Sequence, residues 1–270
     1  MYKLVALDMD GTLLNKDKKI SSENYEAIQK ARSMGVKVVL ASGRPLKGIL
    51  RYVKDLNLLD EDDYVIAYNG ALVQNTRTGE VISKITMSIG DVEYLYNLSK
   101  KLDVNIHALT PDRVIAPRNS KYTQYEADSN DIPLEIVDFN SLDSSTTIVK
   151  IMFIDEPEII DRVVANLPKE VYEKYTVVRS EGFYLEFLDK KVNKGAGVKT
   201  LAKALGIDKD EVICVGDAGN DIHMIKYAGL GVAMGNAFPE VKKIADYVTR
   251  TNEEDGVAHV IKKFILSQAS

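Results

Sequence analysis

Two carboxylates, Asp8 and Asp10, stand directly after an almost unbroken apolar run, Tyr2-Lys3-Leu4-Val5-Ala6-Leu7. A run of that kind, stopped by a turn residue, reads as a strand buried on both faces, which belongs in a parallel sheet covered by helices. Asp10-Gly11 alone would pass for a solvated turn. Two neighbouring carboxylates at the edge of a core, however, repel each other and are costly to desolvate. A divalent cation and a lysine are the simplest groups to neutralise them. Ligands of open parallel sheets bind beyond the carboxyl ends of the strands, where this pair stands.

The chain then keeps to a strand and helix alternation. Ser21 is a plausible N-cap, and Ala27, Ile28, Ala31 and Met34 recur at helical spacing up to Gly35. Residues 36–41 form a second apolar run, ending in Ser42-Gly43-Arg44, and Pro45 suits the first turn of a helix reaching about Leu58. Tyr64-Val65-Ile66-Ala67-Tyr68 is a third strand, followed by Asn69-Gly70. This is the grammar of a parallel sheet with crossover helices. From about Ala71 to Lys150 polar and apolar segments alternate instead. A strand follows over 148–154, a helix over 157–167, and a hairpin around Glu181-Gly182. The first grammar returns at Asn193, with a helix over 195–205, a strand over 211–215 ending in Gly216-Asp217, and a helix over 221–228. Strands over 230–234 and 247–249 complete it. The pattern predicts a core of residues 1–83 and 190–270, with an α+β module over 84–189 inserted into it.

Several polar clusters fall at strand ends or helix entrances of that core. Ser42-Gly43-Arg44 offers a hydroxyl and backbone N–H groups ahead of a helix, suited to an anion. Lys194 opens a helix, against the helix dipole, which a local anion would explain. Gly216-Asp217-Ala218-Gly219-Asn220-Asp221 adds two carboxylates and an amide. Oxygen-rich clusters with few nitrogen donors suit Mg²⁺. The three histidines, His107, His223 and His259, show no metal-ligand spacing, and Cys214 lies inside an apolar strand as a buried thiol would.

In order and placement these clusters resemble the haloacid dehalogenase-like phosphatase superfamily, and within it the Cof-type sugar phosphatases. They are Asp-x-Asp-Gly-Thr at the first strand, Ser-Gly-Arg at the second, a lysine after the insert, then Gly-Asp-x-x-Asn-Asp. The resemblance spans essentially the whole chain and implies a Rossmann-like α/β core with a large inserted cap. It also implies a two-step phosphoryl transfer. Asp8 would be the nucleophile, Asp10 the general acid and then base, and Lys194 the cation that neutralises Asp8 and the phosphate. Mg²⁺ would be held by Asp8, the backbone carbonyl of Asp10 and Asp217, with Asp221 ligating directly or through water. Ser42, the backbone of Gly43 and Met9, Asn220 and Arg44 would hold the phosphate or substrate. Arg118, Tyr122, Arg179 and Tyr184 are the polar cap residues proposed to choose the leaving group.

The expected substrate is a small phosphorylated metabolite, most simply a sugar phosphate. A mutase that returns the phosphoryl group to a sugar, and a non-enzymatic phosphosugar sensor, are the alternatives. A net charge of −5 supplies no global field for nucleic acid. One cysteine allows no intrachain disulfide. With no leader-like or membrane-spanning run in the sequence, a cytoplasmic monomer or homodimer is expected.

Overall fold

In the computed structural model, which describes residues 1–269, the first apolar run is β1 (Leu4–Leu7), with all four residues buried. It is followed by α1 (Ser22–Ser33), β2 (Lys37–Ala41), α2 (Leu46–Asp55), β3 (Tyr64–Ala67), β4 (Leu72–Asn75) and β5 (Val81–Lys84). The middle of the chain forms α3 (Ile89–Leu102), β6 (Asn105–Leu109), β7 (Val114–Ala116), α4 (Lys121–Asn130) and β8 (Leu134–Ile136). Next come β9 (Lys150–Ile154), α5 (Pro157–Asn166), α6 (Lys169–Lys174), β10 (Tyr175–Glu181) and β11 (Tyr184–Asp189). The last part forms α7 (Lys194–Ala204), β12 (Val212–Gly216), α8 (Ile222–Tyr227), β13 (Leu230–Ala233), α9 (Pro239–Ile244), β14 (Tyr247–Val248) and α10 (Gly256–Phe264). Among the described residues, no helix is long and apolar enough to cross a membrane.

The chain divides into two compact units. One comprises residues 1–42, 49–84 and those from Asn193 onward; the other comprises residues 43–48 and 85–192. The first unit holds an eight-stranded sheet in the order β14-β13-β12-β1-β2-β3-β4-β5. Its first six strands are parallel, and β4 and β5 extend one edge antiparallel. β1 pairs with β2 on one side and with β12 on the other. The crossovers therefore diverge at β1, and the strand order reverses there, where open sheets bind ligands. Leu7 pairs with Val215 and with Leu40, so Asp8, Ser42 and Asp217 all follow strands at the same sheet edge.

The second unit holds a six-stranded sheet in the order β10-β11-β9-β6-β7-β8. Strand alternation divides its faces. Ile106, Ile151, Phe153, Leu185 and Phe187 turn into an apolar core with Val92 and Leu95 of α3 and Ile160 and Val163 of α5. The register places His107, Met152 and Glu186 side by side on the opposite face, with Lys150 two residues along β9.

The sequence pattern did not reveal α3 and α4. α3 carries a capping box, with Ser88 and Asp91 satisfying each other's backbone donors, and buries Val92, Leu95 and Leu98. That signal was present. α4 buries Thr123, Glu126, Ala127 and Asn130, too polar a face to show as an apolar stripe.

Candidate active site

The end of β1 fixes Asp8. Its N–H donates to the Val215 carbonyl of β12 (3.0 Å), and its own carbonyl accepts from Leu13 N–H (3.3 Å), so the chain reverses over residues 8–14. Met9, fully buried, accepts from the N–H groups of Thr12 and Leu14. Gly11 makes this turn at φ +84°, and a Cβ there would lie 2.4 Å from Asp217 Oδ2. Only glycine allows both the left-handed backbone and that approach. Thr12 Oγ1 donates to Asp217 Oδ1 (2.9 Å), which ties the turn to the end of β12.

Lys194 begins α7, whose N-cap Asn193 accepts from Ala196 N–H. Its ammonium is fully buried and donates to Asp8 Oδ1 (2.5 Å) and Asp221 Oδ1 (2.7 Å). The other oxygen of Asp221 accepts from the N–H groups of Asp217 and Ala218 (2.9 and 3.0 Å), closing the turn after β12. A lysine at a helix N-terminus is disfavoured by the dipole. Here two buried aspartates more than offset that. Asp8, Asp217 and Asp221 each bring a carboxylate oxygen within 4.8 Å of the others.

Three carboxylates against one ammonium leave an unbalanced negative charge. Burial, then the charge of Asp221, hold the Asp8 carboxyl well above its ordinary range, against the pull of Lys194. The same two causes push Asp217 up to about 6. Burial would pull Lys194 down, but Asp221 and Asp8 keep it above its ordinary value. Asp8 Oδ2 is buried with no hydrogen-bond partner. An orphaned buried anion beside two further carboxylates, with no nitrogen or sulfur donor among them, fits a hard divalent cation such as Mg²⁺.

A second group lies along the same sheet edge. Ser42 donates its N–H to Ile66 and accepts from Asn69 N–H (both 2.9 Å), and Asn220 Nδ2 donates to Asn69 Oδ1 (3.0 Å). Asn69 thus ties Ser42 to Asn220. It follows Tyr68, and both hold positive φ (56° and 51°). Consecutive non-glycine residues in that region are strained by about 1–2 kcal/mol each, as at sites under functional constraint. The sequence reading gave Asn69 no role, although its asparagine-glycine signature was visible. The Asp10 carboxylate stands outside the aspartate cluster, partly exposed, and pairs with Lys18 Nζ (2.6 Å). Lys18 was missed as well. It sits at φ +56° in a loop where the Asn15 side chain accepts from the N–H groups of Asp17 and Lys19.

A family model described as haloacid dehalogenase-like hydrolase matches residues 5–261. The chain belongs to that family. This haloacid dehalogenase-like hydrolase is 47% identical over 270 residues to the Bacillus subtilis (strain 168) protein named "Putative phosphatase YxeH", covering 99% of this chain and 100% of the relative. A haloacid dehalogenase-like hydrolase from Bacteroides thetaiotaomicron superposes with a TM-score of 0.87 at 34% identity, covering 98% and 100% of the two chains. The HAD subclass IIB sugar phosphatase BT4131 superposes with a TM-score of 0.82 at 27% identity, covering 97% and 98%.

The other anticipated residues of the hydrolase lie in its second unit. Gly43 and Arg44 belong there; the Gly43 carbonyl accepts from Lys150 Nζ (3.4 Å), and the charge of Arg44 faces Glu126. Arg118 donates to Asn105, and Arg179 to Asp161 and the Gly182 carbonyl, all exposed contacts. Tyr122 donates to Glu156, while Tyr184 is buried and donates to the Tyr122 carbonyl (3.2 Å). His107 is fully buried there; Cys214, on β12 of the first unit, is a buried thiol whose pKa burial raises.

Proposed function

We propose that this hydrolase is a Mg²⁺-dependent phosphatase that cleaves small phosphorylated metabolites, most simply sugar phosphates, through a phosphorylated Asp8. The observation that carries the reading is the Lys194 ammonium bridging Asp8 and Asp221 beside Asp217, with Asp8 Oδ2 left unpartnered at the carboxyl end of β1. Names of relatives support the reaction class, and the BT4131 neighbour supports the sugar.

In this scheme Asp8 Oδ2 attacks phosphorus, and the bond from phosphorus to the leaving oxygen breaks. Asp10 gives that oxygen a proton. A water then attacks the aspartyl phosphate, Asp10 takes the water's proton, and inorganic phosphate leaves with Asp8 restored. Lys194 counters the rise in the Asp8 pKa that burial and Asp221 cause, and it would offset the phosphate charge. Ser42 and Asn220, linked through Asn69, together with Gly43, Arg44 and the backbone of Met9, are assigned to phosphate and substrate. Asp8, Asp217 and the Asp10 carbonyl would hold Mg²⁺. Asp221, whose two oxygens already accept three hydrogen bonds, would orient that shell or join it. When bound, the cation would supply the charge that lets a dianion approach these carboxylates.

The test is release of inorganic phosphate from p-nitrophenyl phosphate. Exhaustive chelation should abolish it and added Mg²⁺ restore it, and Asp8→Asn should be inactive while still binding a phosphate ester. Turnover that survives chelation refutes the metal. Near-normal turnover by Asp8→Asn refutes the nucleophile.

A further inference from the structure

The loop that follows Asp10 is held more firmly than surface loops ordinarily are. Asn236 Nδ2 donates to the Gly11 carbonyl (2.7 Å), and Asn252 Nδ2 donates to the Leu14 carbonyl (2.9 Å). The two asparagines are themselves joined, Asn252 N–H donating to Asn236 Oδ1 (3.0 Å), and Lys16 N–H donates to Glu253 (2.6 Å). The far end of the loop is tied as well. Tyr52 of α2, 2% exposed, donates its hydroxyl to the Lys18 carbonyl (3.3 Å). Residues from two distant parts of the chain thus converge on residues 11–18.

Within this loop the backbone bends so as to place one side chain. The Asn15 side chain accepts from the N–H groups of Asp17 and Lys19 (3.1 and 2.9 Å), and its carbonyl accepts from Lys18 N–H (2.9 Å). The turn puts Lys18 at φ +56°, a conformation that glycine or asparagine adopts at less cost. What a lysine brings there is an ammonium 2.6 Å from Asp10 Oδ1. Fold stability does not account for the pair. Its side chains are 51% and 38% exposed, and ion pairs so open to water contribute little to folding. A strained residue in a clamped loop, making a contact of little structural value, is the pattern of a functional constraint.

We propose that Lys18 is a positioning residue for Asp10: its ammonium, aimed by the Asn15 turn, fixes the rotation of the Asp10 carboxyl for proton transfer. The inference rests on the phosphatase reading above and adds a residue that acts through Asp10. The last torsion of an aspartate is broad, so its two oxygens sweep a wide arc unless something holds one of them. Proton transfer needs the donor within hydrogen-bond reach of the oxygen it serves. With Lys18 on Oδ1, the proton is carried by the second oxygen, Oδ2. In the first step Asp8 forms its bond to phosphorus and the bond from phosphorus to the leaving oxygen breaks. That oxygen takes the proton from Asp10, which becomes an anion beside an ammonium already in place. The same contact holds Asp10 while it draws a proton from water in the second step. The demand on this placement grows with the basicity of the leaving oxygen. A phenolate needs its proton as it departs, whereas a nitrophenolate leaves readily without one.

The experiment measures leaving-group release in a single turnover, with enzyme in excess and Mg²⁺ present, for phenyl phosphate and p-nitrophenyl phosphate. The two esters share a ring and differ in the basicity of the departing oxygen. Lys18→Met should slow phenol release by about tenfold or more, the scale of a displaced general acid, and leave nitrophenol release within about twofold. Asn15→Ala keeps the ammonium but undoes the turn that aims it, and should show the same selectivity to a smaller degree. Equal losses on both esters in Lys18→Met, or no loss on either, overturn the positioning role while native turnover upholds the phosphatase reading. No release of phenol or nitrophenol by the native protein sinks both.

Discussion

Replacing Lys194 by methionine removes a fully buried ammonium from between two aspartates while nearly keeping its volume. Both contacts are short, 2.5 Å to Asp8 and 2.7 Å to Asp221, and neither carboxylate has water to fall back on, being 6% and 0% exposed. Breaking a buried pair by deleting one partner costs about 3–5 kcal/mol. At roughly 2–4 °C per kcal/mol for a chain of this size, the melting temperature in EDTA at pH 7 should fall by about 6–20 °C. The loss has a sign with pH. Without Lys194, the Asp8 pKa rises further above that of the unfolded chain, so the folded form binds more protons and stability declines as pH rises through that window. The gap between native and variant should therefore widen from pH 5 to pH 8. A second change, Asp221→Asn, removes one stranded charge and should recover part of the loss. The assay is thermal unfolding followed by circular dichroism. A fall under about 2 °C, or a gap that narrows toward pH 8, would show that Lys194 does not hold this cluster together.

Two other outcomes check separate parts of the structure. Gly11→Ala forces a Cβ to within 2.4 Å of Asp217 Oδ2 at φ +84°. Phosphatase activity should drop by at least tenfold with a higher Mg²⁺ requirement, which a metal titration of the initial rate would read, and an unchanged curve would contradict the close approach. His107 has its pKa pushed down to about 3, first by burial and then by the Lys150 charge. The unfolded chain takes that proton below about pH 6.5 and the folded one does not, so stability is full above 6.5 and is lost on acidification, by about 3 kcal/mol at pH 4.5. Urea unfolding of His107→Phe should lack that part of the acid loss, and parallel pH curves would argue against a neutral buried imidazole.

The core could be read from the sequence because each of its strands is a short apolar run with chemistry placed just beyond its end. Asp8, Ser42 and Asp217 follow β1, β2 and β12, and short apolar runs stopped by turn residues fit strands buried on both faces. Lys194 stood out by its conflict with the helix dipole, which its two aspartates resolve, and the family resemblance gave it a role. What stayed hidden depends on contacts far apart in sequence. Lys18 looks like any loop lysine until its pairing with Asp10 is seen. Lys150, Glu126 and Glu186 lie in three elements, and in each the local pattern treats a charged residue as solvent-facing. His107 was expected to serve surface or packing. It is buried, and its partnerless nitrogen lies beyond what spacing can show.

The bond between Lys194 and Asp8 joins residues 186 positions apart, and β1 lies between a neighbour made early, β2, and one made late, β12. During synthesis the aspartate emerges long before its counter-ion and its second flanking strand exist. A nascent chain or a truncated product ending before α7 would carry an exposed strand edge and an uncompensated anion. Such fragments lack the strand that closes the other side of β1, and an open edge of that kind is a template for pairing with another chain.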